Sequence, residues 1–341
     1  SHLAENVLKA SQTAYGVSNL NSVYGNLHDS HRELLLGMLG YKSDAQLADM
    51  HVSNRESAEA VNESILRSLD NAFDTIGSLR LGESDNYSNF YLPMKVWAVN
   101  RVAVMSNMLN EQGDKIHRSL VHVAAHKQEV TIGEPFVDGK ITQFGKFLLA
   151  VAGGMEGTKS IVGFTSDKTT AEEFIPRFEA YLATPKVQTA IAAMQAIKSG
   201  KYSDGDVALV AEIIQEFGMS PMSMASLNAL AEYQSGKDSD GVFTTDVSLE
   251  SDGVTSGSAI SLLVYGVTDQ TKLAAAGFYT EGDNTPNIST YRAEGKKDLY
   301  LQLADQMKAQ WQALVLDGTI PPTIESAFAF FDKAFGTREG A

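Results

Sequence analysis

Asp246, Ser248, Glu250 and Asp252 stand two residues apart in segment 243–253, so on a strand they share one face. Phe243, Val247 and Leu249 fall on the other face. Acids buried without a partner are costly. Such a face therefore meets either solvent or a cation, and spacing alone leaves both open. Asp252 closes the strand. Gly253 then permits a close backbone approach, and Gly257 lets a helix begin tightly. A carboxylate followed by a glycine carbonyl is a good oxygen donor set for Mg²⁺. The bland reading is a surface hairpin with scattered acids. His28 and His31, three apart near Asp29, are a second candidate pair, but a solvated helix start explains them better than a metal. Asp238-Ser239-Asp240-Gly241 lacks the flanking ligands of a calcium loop.

The elements that must position these residues follow from periodicity. Residues 33–39 and 56–69 read as helices, the latter with an apolar stripe of Ala58, Val61, Ile65 and Leu69. Segment 96–104 is β-branched and aromatic, which predicts a strand carrying Trp97 and Arg101. Segment 106–114 is polar and turn-rich. Segment 130–146 predicts short strands and turns punctuated by Gly133, Gly139 and Gly145. Residues 170–232 read helical, with Val207, Val210, Ile213, Ile214 and Phe217 on one stripe. Pro221 separates that helix from one at 223–233, and a polar loop follows over 234–241. Segment 243–249 tends toward a strand. Further helices are expected at 258–265, 297–314 and 324–335, with an irregular stretch at 277–295. The fold class is α+β, mostly helical.

Composition narrows the function. Lys and Arg number 27 against 42 Asp and Glu, a net charge of −15, which argues against a simple nucleic-acid coat. It leaves room for an enzyme with one basic groove on an acidic body. The absence of cysteine excludes a disulfide scaffold, a Cys-ligated zinc site and thiol catalysis. No apolar run is long enough for a membrane span. Ser1-His2-Leu3 has neither Met nor a signal-peptide pattern, which reads as a tag remnant or an internal cut point. The basic residues gather in one place: Lys95, Arg101, Lys115, Arg118 and Lys127, with His117, His122 and His126, against Glu111 and Asp114.

Asp252-Gly253-Val254-Thr255-Ser256-Gly257 resembles motif A, the first catalytic motif of the single-subunit phage-type DNA-dependent RNA polymerases. Glu250 is similar to the virion-packaged branch of that family. Three further segments occur in the expected order. Phe90-Tyr91 through Asn100-Arg101 and on to Asn110-Glu111-Gln112-Gly113-Asp114-Lys115-Ile116-His117-Arg118 resembles the upstream element, with Glu111 where the family has Pro. Lys296-Lys297-Asp298-Leu299-Tyr300, followed by Leu303-Ala304, resembles the helix downstream of motif A. Thr337-Arg338-Glu339-Gly340-Ala341 resembles the opening of motif B, whose Arg precedes a catalytic Lys by four positions. The resemblance covers roughly residues 85–341, and the helical residues before it fit the polymerase's N-terminal part.

This resemblance implies a right-hand polymerase N-terminal region, a partial palm and the start of the fingers. It implies three regions: a helical N-terminal one at 1–85, the basic element with a helical thumb- or palm-associated part at 86–235, and the partial palm with motif A at 236–341. It implies two-metal nucleotidyl transfer of NTPs onto RNA. Asp252 and Gly253 would hold Mg²⁺, Arg338 would face the triphosphate, and Arg101, Lys115 and Arg118 would contact nucleic acid. The partners implied are a DNA template, the RNA product, NTPs and a second polymerase chain carrying the rest of motif B and motif C; alone, this chain would be inactive. The expected location is the virion or the infected bacterial cytoplasm. The alternative is a non-catalytic nucleic-acid-binding or virion structural protein with a polymerase-like half.

Overall fold

The computed structural model describes residues 2–28, 31–79, 89–97, 102–106, 109–155, 161–163, 169–247, 309 and 313. The chain divides into two compact units, Ser1–Glu250 and Ser251–Ala341. The expected features at 258–265, 277–295 and 324–335 lie outside the described residues. Ala309 and Ala313 are helical and fall in the helix expected at 297–314.

The first unit opens with helix α1 (His2–Ser11), strand β1 (Ala14–Val17), α2 (Asn21–Leu27), α3 (Arg32–Leu39), α4 (Asp44–Ala48) and the long α5 (Val52–Leu79). Short strands β2 (Phe90–Tyr91), β3 (Met94–Val96) and β4 (Val102–Val104) lead to α6 (Lys115–Leu120) and β5 (Val121–Val123). A 3-10 turn (Ala124–His126), β6 (Gln128–Thr131), β7 (Phe136–Val137) and β8 (Lys140–Ile141) follow. Helices α7 (Gln143–Met155), α8 (Ala171–Leu182), α9 (Pro185–Lys198), α10 (Asp204–Glu216) and α11 (Pro221–Lys237) then precede β9 (Val242–Thr245). The chain is α+β and mostly helical, as expected.

The sheets are small and antiparallel. β1 lies between β2 and β5, with Gly16 opposite His122. β3 pairs with β4, β6 with β9, and β7 with β8. The core centres on α11, which packs against α7, α9, α6 and β9. Its buried residues run round the helix, from Met224, Leu227 and Leu230 to Asn228 and Glu232. A helix buried on all sides needs no amphipathic stripe. α10 is the opposite case: Val207, Val210, Ile213 and Ile214 are buried, and Phe217 beside them is its C-cap.

Several sequence expectations are corrected. Segment 96–104 is not one strand. Met94 pairs with Val104 and Val96 with Val102, so β3 and β4 are the two arms of a hairpin. Residues 143–146 are helical, because the Thr142 hydroxyl accepts from the Gly145 N–H and caps α7. α11 starts at Pro221 under a Ser220 cap and continues to Lys237, into the first half of the expected loop, while 238–241 turn as expected. Gly236 allows the extension, since a Cβ there would stand 2.8 Å from the Val242 carbonyl oxygen. The buried residues of α5 are Asn62, Leu69, Ala72 and Ile76, whereas Val61 is exposed. Asn62 wins its burial by bonding both the N–H and the carbonyl of Lys42. Among the described residues, no helix is long and apolar enough to cross a membrane.

Candidate nucleic-acid interface

The basic segment is built on a turn whose side chains hold one another. The buried Asn110 accepts from the Gln112 N–H at 2.9 Å and donates to the Ser106 carbonyl at 2.8 Å. Gln112 reaches the edge of β4: its Oε1 accepts from the Val104 N–H at 2.9 Å, and its Nε2 donates to the Val102 carbonyl at 3.3 Å. Gly113 lies so near His117 that a Cβ would stand 2.6 Å from Nδ1. The Asp114 carboxylate then caps α6, accepting from the N–H groups of Ile116 and His117.

α6 buries Ile116, His117, Ser119 and Leu120 and exposes Lys115 and Arg118. These two cations stand three apart on the outward side. Through Gln112 the same turn is tied to the β3–β4 hairpin, which exposes Lys95 and Trp97. Arg101 immediately precedes β4 in sequence and lies outside the described residues, as do Asp252, Gly253 and Arg338. The structure thus joins Lys115 and Arg118 to the hairpin, and it describes none of the other four. Glu111 takes a structural part in the turn. Its Oε1 accepts from the Tyr15 hydroxyl at 3.0 Å, and burial with this bond pushes the Tyr15 phenol up to about 12.

The histidines of the basic segment do not form a charged patch. His117 is 5% exposed and lies within 3.4 Å of the Ser68 hydroxyl and carbonyl oxygens. His122 sits opposite Gly16, where a Cβ would stand 3.0 Å from its Nε2. Burial holds its pKa below the usual value, opposed by Asp246 and assisted by Lys127 and His126. Of the three, His126 alone is exposed.

The acid-strand expectation is corrected at its first residue. Asp246 faces neither solvent nor a cation. Its side chain is 8% exposed; Oδ2 accepts from the Asn19 N–H at 2.6 Å and lies 3.4 Å from His122 Nδ1. β9 ends at Thr245, so strand alternation no longer fixes where Asp246 points. Beside it, Lys198 Nζ lies 2.5 Å from the buried Glu232, whose carboxyl is pushed up by burial against the pull of that ammonium. Sequence reading missed this seam. Its one signal is a lone acid, Glu232, inside the apolar run of α11.

His31 stands at a helix start as expected, the N-cap of α3, and both His28 and His31 are partly exposed and turned to protein partners. His28 packs on the Phe73 ring at 4.1 Å, and His31 bonds Asp204 at 3.0 Å. Among the described residues, no group of three or more His, Asp and Glu side chains is placed to hold a metal ion.

No curated protein matches the chain. Residues 3–121 match the family model described as a virion DNA-directed RNA polymerase domain. The match takes in α1 through α6, the β3–β4 hairpin and the capped turn with Lys115 and Arg118, and it stops well before Asp252. Over that span the expected family is supported: residues 3–121 are similar to a virion DNA-directed RNA polymerase domain, as fits the N-terminal region of a virion-packaged, phage-type RNA polymerase.

Proposed function

We propose that this chain is a subunit or fragment of a phage DNA-dependent RNA polymerase that joins NTPs onto RNA by two-metal nucleotidyl transfer. The match over residues 3–121 carries the reading. The three regions 1–85, 86–235 and 236–341 are, in this proposal, the N-terminal helices, the template-facing element and a partial palm leading into the fingers. Lys115, Arg118 and Arg101 bind the nucleic-acid backbone, which positions a strand without reading its sequence. Exposed Trp97 supports that role, since a ring on the hairpin suits a stacked base.

The Asp252 carboxylate and the Gly253 carbonyl are hard oxygen donors, the kind Mg²⁺ takes, so the residues fit the ion by chemistry. Bound there, the metal would lower the charge on the attacking and leaving oxygens. Arg338 supplies positive charge to the triphosphate. The motif B lysine and the motif C carboxylate come from a partner chain in this proposal, so the 341 residues alone are inactive. The DNA template, NTPs and RNA product are the ligands, and the virion or the infected bacterial cytoplasm is the location.

The test is reconstitution. Co-expression with a chain bearing a Lys…Tyr-Gly segment and a His-Asp motif is expected to give Mg²⁺-dependent RNA synthesis on a single-stranded or hairpin template. Asp252→Ala is expected to lower it by about a hundred- to a thousandfold, the scale on which a lost electrostatic catalytic group is felt. Synthesis that survives Asp252→Ala removes the metal assignment. A chain that binds no DNA at low salt and is rescued by no partner is instead the non-catalytic structural protein.

A further inference from the structure

A groove of about 1080 Å³ crosses the first unit between the β1–α2 turn, the C-terminal ends of α9 and α11, and β9. Its floor depends on two close approaches. Gly16 lets the His122 ring lie against β1, and Gly236 lets α11 lie on β9.

The chemistry of the groove differs from that of the chain as a whole. Ten of its lining residues carry neutral hydrogen-bonding side chains of Ser, Thr, Asn and Gln. Lys127 and Lys198 are its ammonium groups, and Glu232 is its one carboxylate. Glu232 is 8% exposed and paired with Lys198, so these two charges offset each other and Lys127 carries the groove's net positive charge. Asp246 stands behind the wall, with its carboxylate turned to the Asn19 N–H and His122. On a chain of net charge −15, such a surface is a local exception.

Hydroxyls, carboxamides and lysines are the side chains that contact phosphate and sugar. A polyanion is repelled by an acidic surface and admitted where the acids are absent or neutralised. Of the groove's two rings, Phe243 is buried among those of Phe147 and Tyr233 and His122 lies against Gly16. A concave, open trough suits a flexible single strand better than the convex surface of a duplex. We propose that this groove seats the sugar–phosphate backbone of single-stranded nucleic acid, independent of base sequence, as a second contact apart from Lys115 and Arg118. The inference rests on the reading that the chain handles nucleic acid.

The experiment is fluorescence anisotropy with the full chain and labelled single-stranded DNA of mixed and of homopolymeric sequence, over a range of KCl. Lys127→Glu changes an exposed residue on one wall; Ser239→Glu places a carboxylate on the other. Each is expected to weaken binding by about tenfold, equally for all sequences. The slope of log K on log salt should become shallower by about 0.7 for Lys127→Glu, as for one lost phosphate contact. Lys140→Glu, on β8 and outside the groove, is expected to stay within about twofold of the parent, since it removes no such contact. Melting curves establish that each variant is folded.

Parental affinity in both Lys127→Glu and Ser239→Glu overturns the inference. If Lys115→Glu and Arg118→Glu weaken binding while the groove variants do not, the groove fails and the polymerase reading stands. If the parent chain binds no strand even at low salt, both fall. A loss that differs among base sequences overturns the backbone-only recognition.

Discussion

His122 concentrates several constraints in one side chain. It packs over Gly16, faces Asp246 at 3.4 Å, and has Lys127 and His126 close enough to act on it electrostatically. Burial is the largest influence and lowers its pKa below the ordinary 6.5. The unfolded chain therefore binds a proton near pH 6.5 that the folded chain refuses. Stability from this group is fully present above about pH 6.5 and is lost as pH falls toward the lower folded value. Glu232 has the opposite sign. Its raised folded pKa gives stability below the ordinary 4.5 that is lost as pH rises from there through the folded value. Thermal melts at stepped pH are expected to show a fall in Tm on acidification from pH 7 to 5.5. His122→Gln should flatten that fall, and Glu232→Gln should steepen it. A pH dependence of Tm that is the same in His122→Gln as in the parent removes the buried neutral imidazole from the account.

At the scale of elements, the capped turn shows what a sequence can and cannot reveal. The string Asn110-Glu111-Gln112-Gly113-Asp114 announces a turn and a helix start by residue type alone, and α6 begins where Asp114 allows it. Asp114→Ala should lower stability by about 1 kcal/mol in urea titration, and Asp114→Ser should restore most of it, because a hydroxyl can take over the acceptor role. Equal stability of parent and Asp114→Ala would mean that α6 needs no cap. The α10 stripe was legible for a similar reason, being a periodic pattern on a half-buried helix. The β3–β4 hairpin was not, since an apolar run reads as one strand whether or not the chain reverses inside it. The extent of α11 was hidden too. Gly236 and the polar residues around it look like a loop until β9 is known to lie against them. The seam of Asn19, Asp246, Lys198 and Glu232 joins residues up to 227 positions apart, so no local pattern could disclose it. Asp246 was noticed as an acid, but its partner is a backbone amide, which the sequence does not mark.

For the whole molecule, the governing fact is a charge of −15 with few outward cations in the element proposed to bind nucleic acid. Each phosphate contact on a single strand releases counterions and steepens the salt dependence by about 0.7 in log–log slope. Lys115, Arg118 and Lys127 are outward-facing, and Arg101 joins them in the proposed function. Four contacts predict a slope of about −3 for this chain on single-stranded DNA. The acidic body works against the entropy of counterion release, because its repulsion of the strand is unscreened at low salt, where the Debye length is long. The expected curve is therefore linear with a slope of about −3 near 0.1–0.2 M KCl and flattens toward low salt, where added affinity from fewer counterions is offset by the body's own field. A protein with a broad basic face would instead stay linear and steep to the lowest salt. Isothermal titration at stepped KCl separates the two. A slope near zero would mean that no cation of the element touches phosphate. A slope near −10 would require far more contacts than these four residues offer, and the strand would then have to lie on a surface other than α6, its hairpin and the groove.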